Sequence, residues 1–167
     1  MSGALEVRPA GPADVDYLVE AVARLIAELR GVPYEPPPAS IDDRRRQAAY
    51  SLVTARLPGI ALIAVDALED RLGLITASYQ SAVRTGGQYA LIQELWVMAS
   101  MRGRGVGSAL IAALCRSARA AGCRTVEVGI PHYDSPAFAR TYPRYAQWGF
   151  KDLGPRMRKD LHDPDGR

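Results

Sequence analysis

Arg102-Gly103-Arg104-Gly105-Val106-Gly107-Ser108 is the part of this 167-residue chain best equipped to hold an anion. The run before it, Tyr89 to Met98, reads as a strand, filled by bulky and β-branched residues without Pro or Gly. After it, Val106, Ala109, Leu110, Ala113, Leu114, Ala118 and Ala121 recur at helical spacing, and Gly122 stands where a helix end favours positive φ. The loop therefore feeds a helix N-terminus. Its first N–H groups have no intrahelical acceptor, and the macrodipole adds roughly half a positive charge. Gly103, Gly105 and Gly107 let a phosphate approach the backbone, and Arg102 and Arg104 add charge. A pyrophosphate is the natural guest.

A Walker loop needs a lysine that is absent here, and a dinucleotide fingerprint needs a different glycine spacing and an earlier strand. Arg102-x-x-Gly105-x-Gly107 follows Leu95-x-Val97 and precedes Tyr145-x-x-x-Gly149-Phe150. Together these resemble the acetyl-CoA loop and downstream motif of the GCN5-related N-acetyltransferases. The resemblance covers Leu5 to Lys159, with its specific motifs in the second half. The plainer alternative is a glycine-rich turn that only joins strand to helix. The resemblance implies acetyl-CoA as cosubstrate, held by Trp96, Val97, Met98 and the residues from Arg102 to Ser108, with no metal. It also implies transfer to a primary amine, of a small molecule rather than a protein, by direct attack in a ternary complex. A peptide N-acetyltransferase and a non-catalytic CoA-binding sensor are the alternatives.

Such a transfer poses three demands. A lysine-like amine, with a pKa of about 10.4, must be deprotonated. The thioester carbonyl needs donors as it becomes an oxyanion. The departing thiolate is better expelled with a proton. Strand alternation puts Ile92, Glu94, Trp96 and Met98 on one face, so Glu94 should be partly desolvated and more basic. It is the candidate base, unless it pairs with an arginine such as Arg84. The resemblance puts the N–H of Val97 or Met98 near the acetyl carbonyl and Tyr145 near the sulfur, with Tyr142 as competitor. The family's asparagine before the tyrosine is replaced by Phe138, so Ser135 or Asp134 is left to contact pantetheine.

Acceptor recognition in the family comes from the first two helices, their linker and the loops after strands. Those segments hold Glu28, Glu35, Asp42 and Asp43, with Asp134 and His132 beyond a later strand. Acid there suits a cationic amine, or simply a soluble surface. His132 is a candidate second base or an idle turn histidine. The stiff stretch from Gly31 to Pro38, with four prolines, favours a fixed pocket wall.

Composition narrows the classes. The chain is 48% apolar and 23% charged, which suits one globular domain with a core. Its net charge of +3 comes from 19 Arg and 2 Lys, dispersed except at Arg44-Arg45-Arg46, with few aromatics between them. No nucleic-acid partner is expected, and the triplet reads as a solvated helix face. The apolar run Gly59 to Val65 is too short to span a bilayer, and Met1 to Glu6, without a charged start or an apolar run, is not expected to be a signal peptide. Cys115 and Cys123 have no metal-ligand spacing. A cytoplasmic monomer or homodimer is expected.

The elements predicted to position these residues run β-α-α-β-β-β-α-β-α-β. A strand spans Leu5 to Pro9, a helix runs from Pro12 to about Leu29, and a second helix goes from Ser40 towards Arg56. Strands follow at Gly59–Val65 and Leu72–Tyr79, joined by a hairpin at Asp66–Arg71. After the central helix come a strand at Thr125–Ile130, a helix broken at Pro143, and a last strand from Gly154 to Leu161. Antiparallel neighbours followed by a strand-helix-strand crossover give an α/β fold. The expected architecture is a mixed, mostly antiparallel central sheet with helices on both faces.

Overall fold

The computed structural model describes residues 5–159. Five strands lie side by side in chain order: β1 (Glu6–Pro9), β2 (Gly59–Val65), β3 (Arg71–Ala82), β4 (Gly87–Val97) and β5 (Val126–Val128). The first four pair antiparallel, and β5 joins β4 in parallel. The sheet is thus mixed and mostly antiparallel, as the sequence implies. Helices α1 (Val15–Arg30) and α2 (Ala39–Val53) cover one face, while α3 (Val106–Ala120) and α4 (Phe138–Gln147) cover the other.

Local chemistry explains the boundaries. Gly31 adopts φ +68° and donates its N–H to the carbonyls of Ala27 and Glu28, ending α1. Asp14, only 3% exposed, opens α1 and accepts from Arg8, Arg71 and the Gly11 N–H. The Arg8 hydrogen bond, aided by Gly11 and Arg71, holds its carboxyl well below the usual carboxylate range despite burial. That cluster pins β1 and β3 to the start of α1. The β2–β3 hairpin is closed by the Asp66 carboxylate, which accepts the N–H groups of Leu68 and Asp70.

The strand that carries the candidate chemistry does not alternate as expected. Ala77 stands opposite Ile92 and Thr76 opposite Glu94, so Gln93 is an extra residue in β4. The bulge breaks the period of two. Ile92, Leu95 and Val97 pack with α3 and α4, whereas Trp96 packs with α1. Glu94 therefore does not share a face with Ile92.

Two further expectations fail. α4 runs through Pro143 instead of breaking there. Pro143 is exposed, so the bond it withholds from the Ala139 carbonyl is lost on the solvent side. No strand forms between Lys151 and Lys159. The Asp152 carboxylate accepts the Gly154 N–H at 2.8 Å, Gly154 turns to φ +99°, and Pro155 offers no donor. The rest of that expected strand, Asp160 and Leu161, lies outside the described residues.

Candidate active site

The glycine loop forms the turn anticipated for it. After a short 3-10 turn at Ala99–Met101, Gly103 and Gly105 take φ of +73° and +86°, conformations costly for a residue with a Cβ. Gly105 is the N-cap of α3 and supplies no side-chain acceptor, so the N–H groups of the first turn stay uncapped. The loop is exposed from Arg102 to Gly105, and the ideal Cβ positions of Gly103 and Gly105 look onto open space. Gly107 has a different reason. A Cβ there would come within 3.2 Å of the Trp148 ring, whose Nε1 donates to Ser108 Oγ at 3.0 Å. Trp148 thereby clamps α4 to the start of α3.

The two loop arginines behave differently. Arg102 folds back: its Nε donates to the Val97 carbonyl at 2.9 Å, and its Nη2 reaches both carboxylate oxygens of Glu28 at 2.8 Å. Trp96 Nε1 also donates to Glu28, at 3.1 Å. Glu28 therefore ties α1 to β4 and the loop, and with Glu20 and Met98 it lines a cleft beside them. Arg104 is exposed and has no such partner among the described residues.

β4 carries the remaining groups. β5 pairs with it only as far as Ile92, opposite Val128, so the sheet opens from Gln93 onward. The Met98 N–H donates to the Leu72 carbonyl at 2.9 Å and faces β3. Successive N–H groups alternate, so Val97 directs its N–H into the opening, as does Leu95. Of the two amides proposed from sequence, Met98's is occupied and Val97's is available. Leu95 was not singled out, because only the bulge and the short β5 reveal which amides lose a neighbour.

Glu94 borders an apolar cavity of about 350 Å³ between α1, α2 and the sheet. Its wall is formed by Leu18, Val19, Val22, Ala48, Ala49, Leu52, Leu57 and Pro58. Burial raises the Glu94 pKa, and the opposing effect is a hydrogen bond donated by the Thr76 hydroxyl. Arg84 does not neutralise it, being engaged with Glu127 through two 2.9 Å bonds. Thr76 went unnoticed in the sequence because its position opposite Glu94 depends on the bulge.

On the other face Tyr145 is 8% exposed and meets Trp148 and Phe150 edge-on, with ring centroids 5.4 and 5.2 Å away. Burial raises its pKa, which keeps the phenol protonated through the neutral range. Its hydroxyl makes no hydrogen bond to another described residue. Tyr142 instead stacks on Phe138 at 5.0 Å. Three remaining candidates stand apart. Glu35 is exposed in the linker, His132 is exposed beside Asp134 at 3.3 Å, and Ser135 accepts the Ala137 N–H at 3.2 Å. Among the described residues no His, Cys, Asp or Glu cluster could hold a metal, and no helix is long and apolar enough to cross a membrane.

Comparison with known proteins follows the same lines. No curated protein matches the chain in sequence. Among solved structures, a Trypanosoma brucei acetyltransferase is 25% identical, with 95% of this chain and all of that one covered at a TM-score of 0.65. A predicted acetyltransferase from Clostridium acetobutylicum with acetyl-CoA shares 17% identity over 95% and 97% of the chains, at 0.73. An aminoglycoside acetyltransferase from an uncultured soil sample shares 18% over 95% and 99%, at 0.68. These likenesses carry the fold. A family model described as acetyltransferase (GNAT) family matches residues 22–150, the span from the middle of α1 to the end of the Tyr145 motif. The chain therefore belongs to the GNAT family of acetyltransferases.

Proposed function

We propose that this protein transfers an acetyl group from acetyl-CoA to the primary amine of a small molecule, by direct attack with both partners bound. The observation that carries this reading is the placement of Glu94. It sits where β4 parts from β5, with its carboxylate in an apolar cavity on the α1–α2 side. Four residues on, just past the end of β4, lies Met98, where the chain turns towards the uncapped amides of α3.

Acetyl-CoA supplies an activated acyl thioester. The N–H groups at the start of α3, from Val106 to Ser108, would hold its pyrophosphate, with Arg104 adding charge from the side. Arg102 would act indirectly, by fixing the loop to Val97 and Glu28. The Val97 N–H is the donor for the developing oxyanion. Glu94 takes a proton from the acceptor's ammonium, directly or through a water, which frees the amine's lone pair to attack the thioester carbonyl. Its raised pKa makes it a stronger base for that task. Tyr145, protonated and without a protein partner, gives a proton to the departing sulfur. Neither cysteine is needed, so no acyl-enzyme forms. The cavity under α2 is walled by two helices and the sheet, which favours a small molecule over an extended peptide. Nothing in the chemistry requires a metal or a membrane, and a cytoplasmic setting suits it.

Thiol release from acetyl-CoA, measured across a panel of amines, tests the reading. Turnover is expected with at least one small amine. Tight acetyl-CoA binding with no turnover on any amine would favour a CoA-binding sensor, and turnover confined to peptides would favour a protein acetyltransferase. Glu94→Gln should lower kcat by about 10²-fold or more. The loss should be greatest at low pH, because at high pH the amine loses its proton unaided. An unchanged pH profile removes Glu94 from the mechanism.

A further inference from the structure

The proposed transfer leaves the acceptor unnamed, but the cavity beside Glu94 restricts it. None of the acidic residues anticipated as amine attractors lines that cavity. Glu28 is bound to Arg102, and Glu35, Asp42, Asp43 and Asp134 are absent from its walls. The walls are aliphatic, with Val22, Ala48, Leu52 and Leu57 among them. α2 buries no residue fully: Ala49, Leu52 and Val53 rest on the sheet core, and part of its underside overlies this space. One cation does line the cavity. Arg45 is half-buried on α2 and makes no ion pair or side-chain hydrogen bond among the described residues. Its neighbour Arg46 is paired with Asp16 at 2.9 Å.

A carboxylate on the floor and a guanidinium on the wall thus share one apolar cavity without neutralising each other. We infer that the acceptor is a zwitterionic amine on an apolar skeleton, such as an apolar amino acid, whose ammonium meets Glu94 and whose carboxylate meets Arg45. Opposite charges beside a hydrocarbon side chain would satisfy both groups and fill the space beneath α2. A single guanidinium presents the planar fork that a carboxylate matches, and it is the only Lys or Arg side chain lining the cavity among the described residues. A polycation would find no carboxylate there except Glu94 and would meet like charge at Arg45. This inference rests on the proposed role of Glu94, although its test can fail separately.

The full chain is assayed for thiol release with acetyl-CoA in three arms. The first holds leucine, methionine and phenylalanine. The second holds isoamylamine and phenethylamine, which lack the carboxylate. The third holds spermidine and kanamycin. The first arm should exceed the second in kcat/KM by about 10- to 100-fold, the worth of one charge-assisted hydrogen bond. The third should be the poorest. Arg45→Gln should raise KM for phenylalanine by a similar factor with little change in kcat, and leave phenethylamine unaffected. Arg45→Lys should restore part of the loss. A merely structural role would move both substrates together. Calorimetry of phenylalanine on the CoA-loaded protein provides a readout independent of turnover. Binding that needs Arg45 but gives no acetylation sustains the ligand class and sinks the transferase reading. Preference for spermidine or kanamycin, or indifference to the carboxylate, overturns the inference and leaves the transferase standing.

Discussion

The two faces of the sheet are packed to different standards. Under α3 the core is closed: Val106, Leu110 and Leu114 are at most 2% exposed, and a Cβ on Gly107 would sit only 3.2 Å from the Trp148 ring. Under α2 it is open: that helix buries no residue fully, and a cavity of about 350 Å³ separates it from Thr76 and Glu94. Under the proposed function, the difference gives each face a task. A face that must hold a diphosphate at a helix terminus gains from being rigid before binding. A face that must accept a variable acceptor can leave its packing for the ligand to complete.

The most direct way to break this contrast is to truncate one leucine on each side. Leu110→Ala should cost about 2–5 kcal/mol, because it hollows a close-packed core. Leu52→Ala should cost about 1 kcal/mol or less, because its side chain already borders empty space. Denaturant unfolding measures both, and equal losses would erase the distinction. Added ligand sharpens it: an acceptor should stabilise wild type more than Leu52→Ala, since that side chain would line the filled cavity.

The next effect concerns chemistry on the closed face. Tyr145→Phe should slow turnover by about 10²-fold if its free hydroxyl serves as the acid, with acetyl-CoA affinity kept. A near-normal kcat would leave Tyr145 as a packing partner of Trp148 and Phe150. The smallest effect lies on the open face. The Thr76 hydroxyl favours the charged form of Glu94, so Thr76→Val should push that pKa higher still. The base works deprotonated, so the acidic limb of the rate profile should move to higher pH. A shift to lower pH would contradict the assignment of Glu94.

Legibility in the sequence follows the same division. The loop is readable because its conformation is local: glycines at positive φ and a helix start need no distant partner. The strand pairing of β2, β3 and β4 is readable from apolar runs and turn residues. The bulge at Gln93 is not, because an extra residue shows only against the register of the opposing strand. That single shift turned the expected face of Glu94 relative to Ile92 and hid its bond to Thr76. The bond between Glu28 and Arg102 was hidden for a similar reason, since the two are 74 positions apart. Arg45 was taken for solvated surface, because its place on a cavity wall depends on how α2 stands off the sheet. Pro143 and the stretch after Phe150 misled in opposite directions. A proline on a helix's solvent face is tolerable, whereas Gly154 and Pro155 were enough to prevent a strand.

One measurement bears on the central claim more closely than any substitution: an acetyl-CoA titration followed through backbone amide resonances. The account predicts that the amides of Gly105, Val106, Gly107 and Ser108 shift together with a single affinity, and that Val97 joins them with acetyl-CoA more than with free CoA. Gly105→Asp, which places a negative side chain and a strained Cβ at φ +86°, should abolish all of these shifts. Loop amides that stay still at saturating ligand, while resonances elsewhere move, would place the diphosphate outside the turn and contradict the site described.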